Sequence, residues 1–241
     1  MTKTVCLFDL DGTLTAPRNI ITNEMETFLK DLSKSVDVAI VSGSDIHKIK
    51  EQLNSDTSYF AYVCSENGTV IHKGDELIKS DSIQEKLGED FTQNVINFIL
   101  LKFSLMKLPV KRGNFIEFRQ GMINVSPIGR SCSQSERNQF AIYDKEHGLR
   151  EQLIKDLKEE FGHDKLTYSI GGQISIDIFP AGWDKRHCLD FICERYEKII
   201  FFGDKTEIGG NDYEIFEDER TLGVSVKDYH FTMEKLKEMF M

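Results

Sequence analysis

The sequence predicts an α/β fold: a doubly wound parallel-sheet (Rossmann-like) core with an inserted α+β cap domain built on an antiparallel sheet. The core is predicted because short apolar runs alternate with amphipathic helical segments over residues 4–80 and again after Pro180. The cap is predicted because period-2 strands replace this alternation in the middle of the chain. We therefore place the core at residues 1–81 and 184–241 and the cap at residues 82–183.

The first part of the core contains three predicted strands and two predicted helices. The apolar runs at 5–8, 38–41 and 62–64 are short enough to be buried strands. Thr22 caps the first helix, and Asp45 begins the second. Because the connecting loops are short, these strands are expected to be parallel, with helices on both faces of the sheet.

The cap begins with one long predicted helix over about 82–103, whose apolar residues recur at helical spacing. Two further helices are predicted at about 134–145 and 149–161, the first with a capping box from Ser133 to Glu136. Antiparallel strands are predicted at 115–119, 123–125, 166–170 and 174–179.

The core pattern returns after Pro180. A helix is predicted to begin near Asp184, and an apolar strand follows at 199–202. A last strand at 224–226 and an amphipathic helix that includes Leu236 complete the chain.

Composition limits the possible functions. The chain has 241 residues and a net charge of −10, which argues against sequence-independent binding to nucleic acid. Apolar runs are far shorter than the roughly 20 residues of a membrane span. The five cysteines lack metal-ligand spacing, and we interpret them as free thiols in a reducing cytosol. We therefore expect a cytoplasmic protein without nucleic-acid or membrane partners.

Two carboxylates follow the first predicted strand, in the segment Asp9-Leu10-Asp11-Gly12-Thr13. Carboxylates at the mouth of a buried strand are unfavourable unless a cation or a substrate requires them. This pattern indicates phosphoryl transfer through an aspartyl-phosphate. Asp9 would attack phosphorus, and Asp11 would act as the general acid and base for the hydroxyl group.

Further polar groups follow the other predicted core strands. Ser42 and Ser44 come after the second strand, and Asp204 after the strand at 199–202. Ligands of doubly wound sheets bind at the carboxyl ends of the strands. Carboxylates from distant segments suit a hard cation, so Mg²⁺ is expected. Lys185, in the first turn of the helix predicted after the cap, would neutralise the phosphoryl oxygens together with that ion. Asn211 and Asp212 form one more polar set, after a Gly-Gly turn.

The predicted cap strands have one apolar and one polar face. Alternation in Ile174–Ile178 places Ser175 and Asp177 opposite three isoleucines, and it places Arg119 opposite Phe118. Arg137 lies in the first turn of a capped helix, where free N–H groups also favour anions. Several arginines on such a face would bind a phosphate.

The order of these motifs resembles that of the haloacid-dehalogenase-like superfamily. More specifically, segments 11–18, 111–119, 121–133, 169–178 and 202–216 are similar to the eukaryotic phosphomannomutase family, in core and cap alike. The resemblance implies a hexose-phosphate substrate that moves its phosphate between O1 and O6. It also implies a hexose 1,6-bisphosphate as intermediate and activator, a place in the supply of GDP-mannose, and a homodimer formed through the cap.

The resemblance also implies roles for individual residues. It makes Asp9 the nucleophile and Asp11 the acid and base, and it assigns the Mg²⁺ ligands to Asp9, the Asp11 carbonyl and Asp204. A second cation site would involve the Phe216 carbonyl, Asp218 and Thr221. The sugar-phosphate contacts would be Arg18, Arg119, Arg130, Arg137, Ser175 and Asp177.

One position departs from the family pattern. Relatives commonly have Gly-Gly-Ser-Asp where this chain has Ser42-Gly43-Ser44-Asp45. The family match favours Ser44 as the hydroxyl group on the phosphoryl group, and the wider superfamily pattern favours Ser42.

Two other functions are compatible with parts of the sequence. A sugar-phosphate phosphatase would share Asp9, Asp11, Lys185 and Asp204, so only the cap arginines favour the mutase. A sugar-phosphate sensor without catalysis would lack the nucleophile or a metal carboxylate, and this chain retains both.

Overall fold

A computed structural model describes residues 3–240. They form two compact units: the core extends to Ser80 and resumes at Trp183, and the cap covers Asp81–Gly182. Both boundaries lie one residue before the expected positions.

The strands are β1 (Thr4–Phe8), β2 (Asp37–Val41), β3 (Tyr62–Ser65), β4 (Val70–Lys73), β5 (Glu76–Ser80), β6 (Ile116–Phe118), β7 (Ile123–Val125), β8 (Leu166–Gly171), β9 (Ser175–Pro180), β10 (Lys198–Gly203) and β11 (Leu222–Ser225). The helices are α1 (Asn23–Leu32), α2 (Ile46–Gln52), α3 (Ile83–Leu87), α4 (Glu89–Leu105), α5 (Gln134–His147), α6 (Leu149–Phe161), α7 (His187–Ile192), α8 (Tyr213–Phe216) and α9 (Tyr229–Phe240).

The core contains a seven-stranded sheet in the order β11-β10-β1-β2-β3-β4-β5. Strands β11, β10, β1, β2 and β3 are parallel, which confirms the predicted fold class. The hairpin β4–β5 extends the sheet in antiparallel fashion and was not predicted. Its strands lack a clear apolar period, and Leu77 on β5 is 55% exposed.

Apolar side chains of β1 alternate between two buried clusters, one on each face of the sheet. Cys6 and Phe8 belong to the cluster that includes Leu29 of α1, whereas Leu7 belongs to the cluster that includes Leu189 of α7. Helices therefore cover both faces, as a doubly wound sheet requires. Within residues 3–240, no helix combines the length and the apolar character needed to cross a bilayer.

The parallel register brings the predicted strand ends to one edge. Phe8 pairs with Phe202 on one side and with Ile40 on the other. The N–H of Asp9 then donates to the Phe202 carbonyl at 2.9 Å. Asp9, Asp204 and Ser42 consequently follow three adjacent strands at the carboxyl edge of the sheet.

The cap contains a four-stranded antiparallel sheet in the order β6-β7-β9-β8. Its first helix is interrupted, because Gly88 adopts φ +80° and separates α3 from α4. The prediction of one continuous helix was therefore wrong: the apolar pattern continues across a glycine that the backbone uses as a break. The capping box between Ser133 and Glu136 is present at the start of α5.

A buried arginine joins the cap helices to the turn that precedes β9. Arg150 pairs with Asp144 at 2.6 Å, and its guanidinium donates to the carbonyls of Gly171, Gly172 and Ser175. Both charged side chains are about nine-tenths buried. Removing either residue of this ion pair would leave the charge of the other buried and uncompensated.

We expect Arg150→Met to lower the free energy of unfolding by about 3 kcal/mol, the order found when a buried ion pair loses one member. Urea denaturation followed by circular dichroism measures this change. Lys155→Met is the control, because its pair with Glu159 is long at 4.0 Å and largely exposed. That control should change stability by less than about 0.5 kcal/mol. Equal effects of the two substitutions would contradict the assigned role of Arg150.

Candidate active site

A buried lysine lies between two carboxylates at the carboxyl edge of the core sheet. The Lys185 Nζ is 2.5 Å from Asp9 Oδ1 and 2.6 Å from Asp212 Oδ1. Lys185 is 2%, Asp9 3% and Asp212 0% exposed. Lys185 lies in the turn before α7, since that helix begins at His187. The sequence had suggested that Lys185 lies in the first turn of the helix. The turn directs the ammonium group back to the strand ends.

Burial and charge act against each other in this cluster. Desolvation raises the pKa of Asp9, Lys185 lowers it and the negative charge of Asp212 raises it, and together they give a pKa of about 7. Burial alone would lower the pKa of Lys185, but the Asp212 and Asp9 carboxylates outweigh burial and raise it. Lys185 is therefore the cation that favours an ionised Asp9.

Asp212 also orders the loop after β10. Its Oδ2 accepts hydrogen bonds from the backbone N–H groups of Asp204 and Lys205, both at 3.1 Å. Gly203 allows this approach, since a Cβ there would lie 2.7 Å from Asp212 Oδ2. Asp212 thus fixes the backbone that carries Asp204.

Three carboxylates form a cluster that fits a hard divalent cation. Ligand oxygens of Asp9, Asp204 and Asp212 lie within 4.8 Å of one another. The Oδ1 of Asp204 is buried and has no hydrogen-bond partner among residues 3–240. Desolvation raises the pKa of Asp204. An unpartnered oxygen among carboxylates is the donor arrangement that Mg²⁺ prefers.

Asp11, two residues after Asp9, is held by donors from outside this cluster. Its Oδ1 accepts from the backbone N–H of Arg18 at 2.6 Å and from Gln52 Nε2 at 2.9 Å. Arg18 has φ +62°, and its side chain is exposed. The backbone of Arg18, rather than its guanidinium, therefore accounts for its contact here.

The two candidate serines occupy successive positions in the turn after β2. Ser42 follows the strand directly, is 4% exposed and accepts the Ser44 N–H on its Oγ at 3.2 Å. Ser44 is half-buried, and its carbonyl accepts from the N–H of Glu66. Both serines are thus fixed at the edge that carries Asp9.

The loop after α8 contains the residues expected at a second cation site. Asp218 binds Arg220 through both carboxylate oxygens, at 2.8 Å each, and this pairing lowers the pKa of Asp218. The Thr221 hydroxyl donates to the carbonyls of Ile215 and Asp218. Phe216 ends α8 beside them. In this structure the guanidinium of Arg220 supplies the positive charge next to Asp218.

A cluster of arginines contacts the polar face of the cap sheet. The Oε2 of Glu117 accepts from Arg119 at 2.7 Å and lies 3.1 Å from Arg130 Nε. Arg137 donates to the Arg130 carbonyl at 2.9 Å. Burial and the nearby charges of Arg119 and Arg137 lower the pKa of Arg130. Such convergent guanidinium groups suit a phosphate.

Ser175 and Asp177 lie on β9 next to this cluster. The Ser175 hydroxyl donates to the Gly171 carbonyl at 2.9 Å. Asp177 Oδ1 accepts from Asn124 Nδ2 at 2.5 Å. Asn124 in turn accepts from Arg130.

Three site residues were not assigned from the sequence. Asp212 was noted as polar but given no role, although Asn211 beside it is exposed and Asp212 is fully buried. Gln52 gave no signal, since only tertiary packing brings the last residue of α2 to Asp11. Asn124 was detectable: it alternates with Ile123 and Val125, and a polar residue within such a strand indicates a polar face.

Comparison with known proteins identifies the family that this chain resembles. The family model described as eukaryotic phosphomannomutase matches residues 25–241. The phosphomannomutases of Oryza sativa subsp. indica and Glycine max are each 52% identical over 238 residues, which is 98% of this chain and 96% of theirs. That of Arabidopsis thaliana is 50% identical with the same coverage.

Solved structures share the fold at much lower identity. A haloacid dehalogenase-like hydrolase from Bacteroides thetaiotaomicron matches with a TM-score of 0.60 and 14% identity, covering 98% of this chain and 99% of that one. The IMP-nucleotidase of Plasmodium falciparum, truncated at its N-terminus and bound to IMP, matches with a TM-score of 0.63 and 17% identity, covering 99% of this chain and 68% of that one. These matches establish the fold alone.

We expect Gly12→Ala to weaken binding of a divalent cation by tenfold or more, since disturbing the groups that orient metal ligands has effects of about this size. Gly12 has φ +84°, and a Cβ there would collide with the Asp204 carboxylate, 2.6 Å from its Cγ. Calorimetric titration with MgCl₂ measures the affinity.

Gly74→Ala is the matched control, because Gly74 also has positive φ, at +58°. A Cβ built there would have no heavy atom within 4 Å among residues 3–240, its two chain neighbours aside. It should bind Mg²⁺ like the parent protein. Unchanged affinity in a folded Gly12→Ala protein would contradict the placement of the cation beside Asp204.

Proposed function

Because this chain belongs to the eukaryotic phosphomannomutase family, we propose that it interconverts mannose 6-phosphate and mannose 1-phosphate through a hexose 1,6-bisphosphate. The observation that carries the proposal is that one chain has two groups of side chains suited to binding a phosphate. The core supplies Lys185 beside a buried carboxylate, and the cap supplies Arg119 and Arg130, which both contact Glu117 of β6. A mutase requires both sites, since one phosphate reacts while the other is held.

In the first step a carboxylate oxygen of Asp9 attacks phosphorus of the bisphosphate. A P–O bond to Asp9 forms as the P–O bond to the sugar breaks, and Asp11 donates its proton to the departing sugar oxygen. Lys185, already in contact with Asp9 Oδ1, orients the nucleophile and offsets negative charge on the phosphoryl oxygens. The reverse step phosphorylates the other hydroxyl group, and Asp11 takes back the proton.

Mg²⁺ would be held by Asp9, the Asp11 carbonyl and Asp204, and when bound it would neutralise charge on the transferred group. Ser42 or Ser44 would donate a hydrogen bond to that group, and the direct position of Ser42 after β2 favours Ser42. A second, structural cation would take the Phe216 carbonyl, Asp218 and Thr221.

The cap would hold the sugar and its second phosphate. Arg119, Arg130 and Arg137 would bind the phosphate, and Ser175 and Asp177 would bind sugar hydroxyl groups. Arg18, whose exposed side chain belongs to the core, would add a further cation. The bisphosphate would act as activator, because it restores the phosphorylated enzyme.

We further propose a cytoplasmic homodimer that supplies mannose 1-phosphate for GDP-mannose synthesis. The five cysteines are free thiols, as expected in a reducing compartment. On α4 of the cap, Leu101 and Leu105 are 57% and 74% exposed, and such an apolar surface suits contact with a second cap.

A coupled assay tests the activity. The protein is given mannose 1-phosphate, Mg²⁺ and a catalytic amount of hexose 1,6-bisphosphate, and mannose 6-phosphate and free phosphate are measured together. We expect mannose 6-phosphate without stoichiometric free phosphate. Asp9→Asn should lower the rate more than about a thousandfold, because an amide cannot form the acyl phosphate.

Asp75→Asn is the matched control, since the side chain of Asp75 is 96% exposed in the same unit, and it should retain the parent rate. Free phosphate as the main product would instead indicate a sugar-phosphate phosphatase. Binding of sugar phosphate without turnover would indicate a sensor.

A further inference from the structure

The buried side-chain amide of Asn124, in the cap, lies between two residues proposed to bind substrate, Arg130 and Asp177. Asn124 is on β7 and is 3% exposed. The strand register places it opposite Glu117 of β6 and Asp177 of β9. A polar side chain this deeply buried is favourable only when its hydrogen bonds are satisfied.

The chemistry of its neighbours fixes the orientation of this amide. Asn124 Oδ1 accepts from Arg130 Nη1 at 2.5 Å, and Asn124 Nδ2 donates to Asp177 Oδ1 at 2.5 Å. The reversed amide would direct its NH₂ group at a guanidinium and its oxygen at a carboxylate. Only one orientation therefore satisfies a donor on one side and an acceptor on the other.

Arg130 has a second ion-pair contact, and Asp177 has a glycine beside its second oxygen. The Nε of Arg130 is 3.1 Å from Glu117 Oε2. The other oxygen of Asp177 faces Gly171, where a Cβ would lie 2.7 Å from Asp177 Oδ2 and 3.0 Å from Ser175 Oγ. Gly171 thus places no side chain beside the two groups proposed to bind the sugar.

We propose that Asn124 is a positioning residue that fixes Arg130 relative to Asp177. A guanidinium for phosphate and a carboxylate for a sugar hydroxyl are then presented to one ligand at a set separation. The inference rests on the proposed function, because it takes Arg130 and Asp177 as sugar-phosphate contacts. It adds a residue that touches neither the substrate nor the reacting atoms and acts through both contacts.

Two substitutions separate positioning from bulk stability. Asn124→Ala removes both hydrogen bonds, and we expect KM for mannose 1-phosphate to rise about tenfold or more, by analogy with buried charged groups that lose a partner. Hydrolysis of acetyl phosphate, a donor without a sugar ring, reports on the core and should stay within about twofold of the parent rate.

Asn124→Asp gives the more specific signature. The charged groups around position 124 are Glu117 on β6, Asp177 on β9 and Arg130, with Arg119 and Arg137 beyond Arg130. Two facing carboxylates share a proton at low pH, because their repulsion raises the pKa of one of them. The shared proton then replaces the lost amide donor, so the variant improves as pH falls.

The expected result is therefore a pH-dependent ratio. At about pH 8, KM of Asn124→Asp should exceed the parent KM about tenfold, and the ratio should approach one towards about pH 6. For Asn124→Ala the ratio should not change with pH. Dividing by the parent value at each pH cancels the titration of the substrate phosphate.

Ser169→Ala is the matched control, because Ser169 flanks Asp177 from the opposite strand, β8, and is exposed. It should leave KM unchanged at every pH. A pH-independent ratio for Asn124→Asp, or equal losses of acetyl phosphate hydrolysis and mutase activity in Asn124→Ala, would overturn the inference. Absence of mutase activity in the parent protein would instead overturn the proposed function.

Discussion

The buried contact of Lys185 with Asp9 and Asp212 is the interaction on which the core site depends. Two buried carboxylates are unfavourable without a cation, so removal of the Lys185 ammonium group would leave their charges uncompensated. They come from three separate segments: the end of β1, the turn two residues after the chain re-enters the core, and the loop after β10. The insertion of the cap between β5 and Lys185 therefore makes the core site depend on segments from both sides of the cap.

The same cluster explains why small residues surround it. Gly12 and Gly203 lack the Cβ atoms that would collide with Asp204 and Asp212. Asp212 then orders the loop backbone through the N–H groups of Asp204 and Lys205, while one Asp204 oxygen has no hydrogen-bond partner among residues 3–240. The carboxylates of Asp9 and Asp212 thus bind Lys185, and the Asp204 carboxylate offers an oxygen to a cation.

Much of this architecture was predictable because it follows from local patterns. Apolar runs predicted the parallel strands, and the residues after them had to meet at one edge of the sheet. Asp212 and Gln52 could not be predicted in their present contacts, since loop and helix packing bring them to Lys185 and Asp11. The strands of the hairpin β4–β5 lack the alternation of apolar and polar residues that predicts a strand. The helix break at Gly88 was not predicted, because apolar residues continue at helical spacing on both sides of it. Asn124 was missed although its alternation placed it on the polar face.

Identification of the residue that carries the phosphoryl group tests the account most directly. The protein would be incubated with labelled hexose 1,6-bisphosphate and Mg²⁺, quenched in acid, digested and analysed by mass spectrometry. We expect a hydroxylamine-sensitive phosphoryl group on Asp9, since acyl phosphates react with hydroxylamine and phosphate esters do not. A stable phosphate on Ser42 or Ser44, or turnover without any label on Asp9, would contradict it.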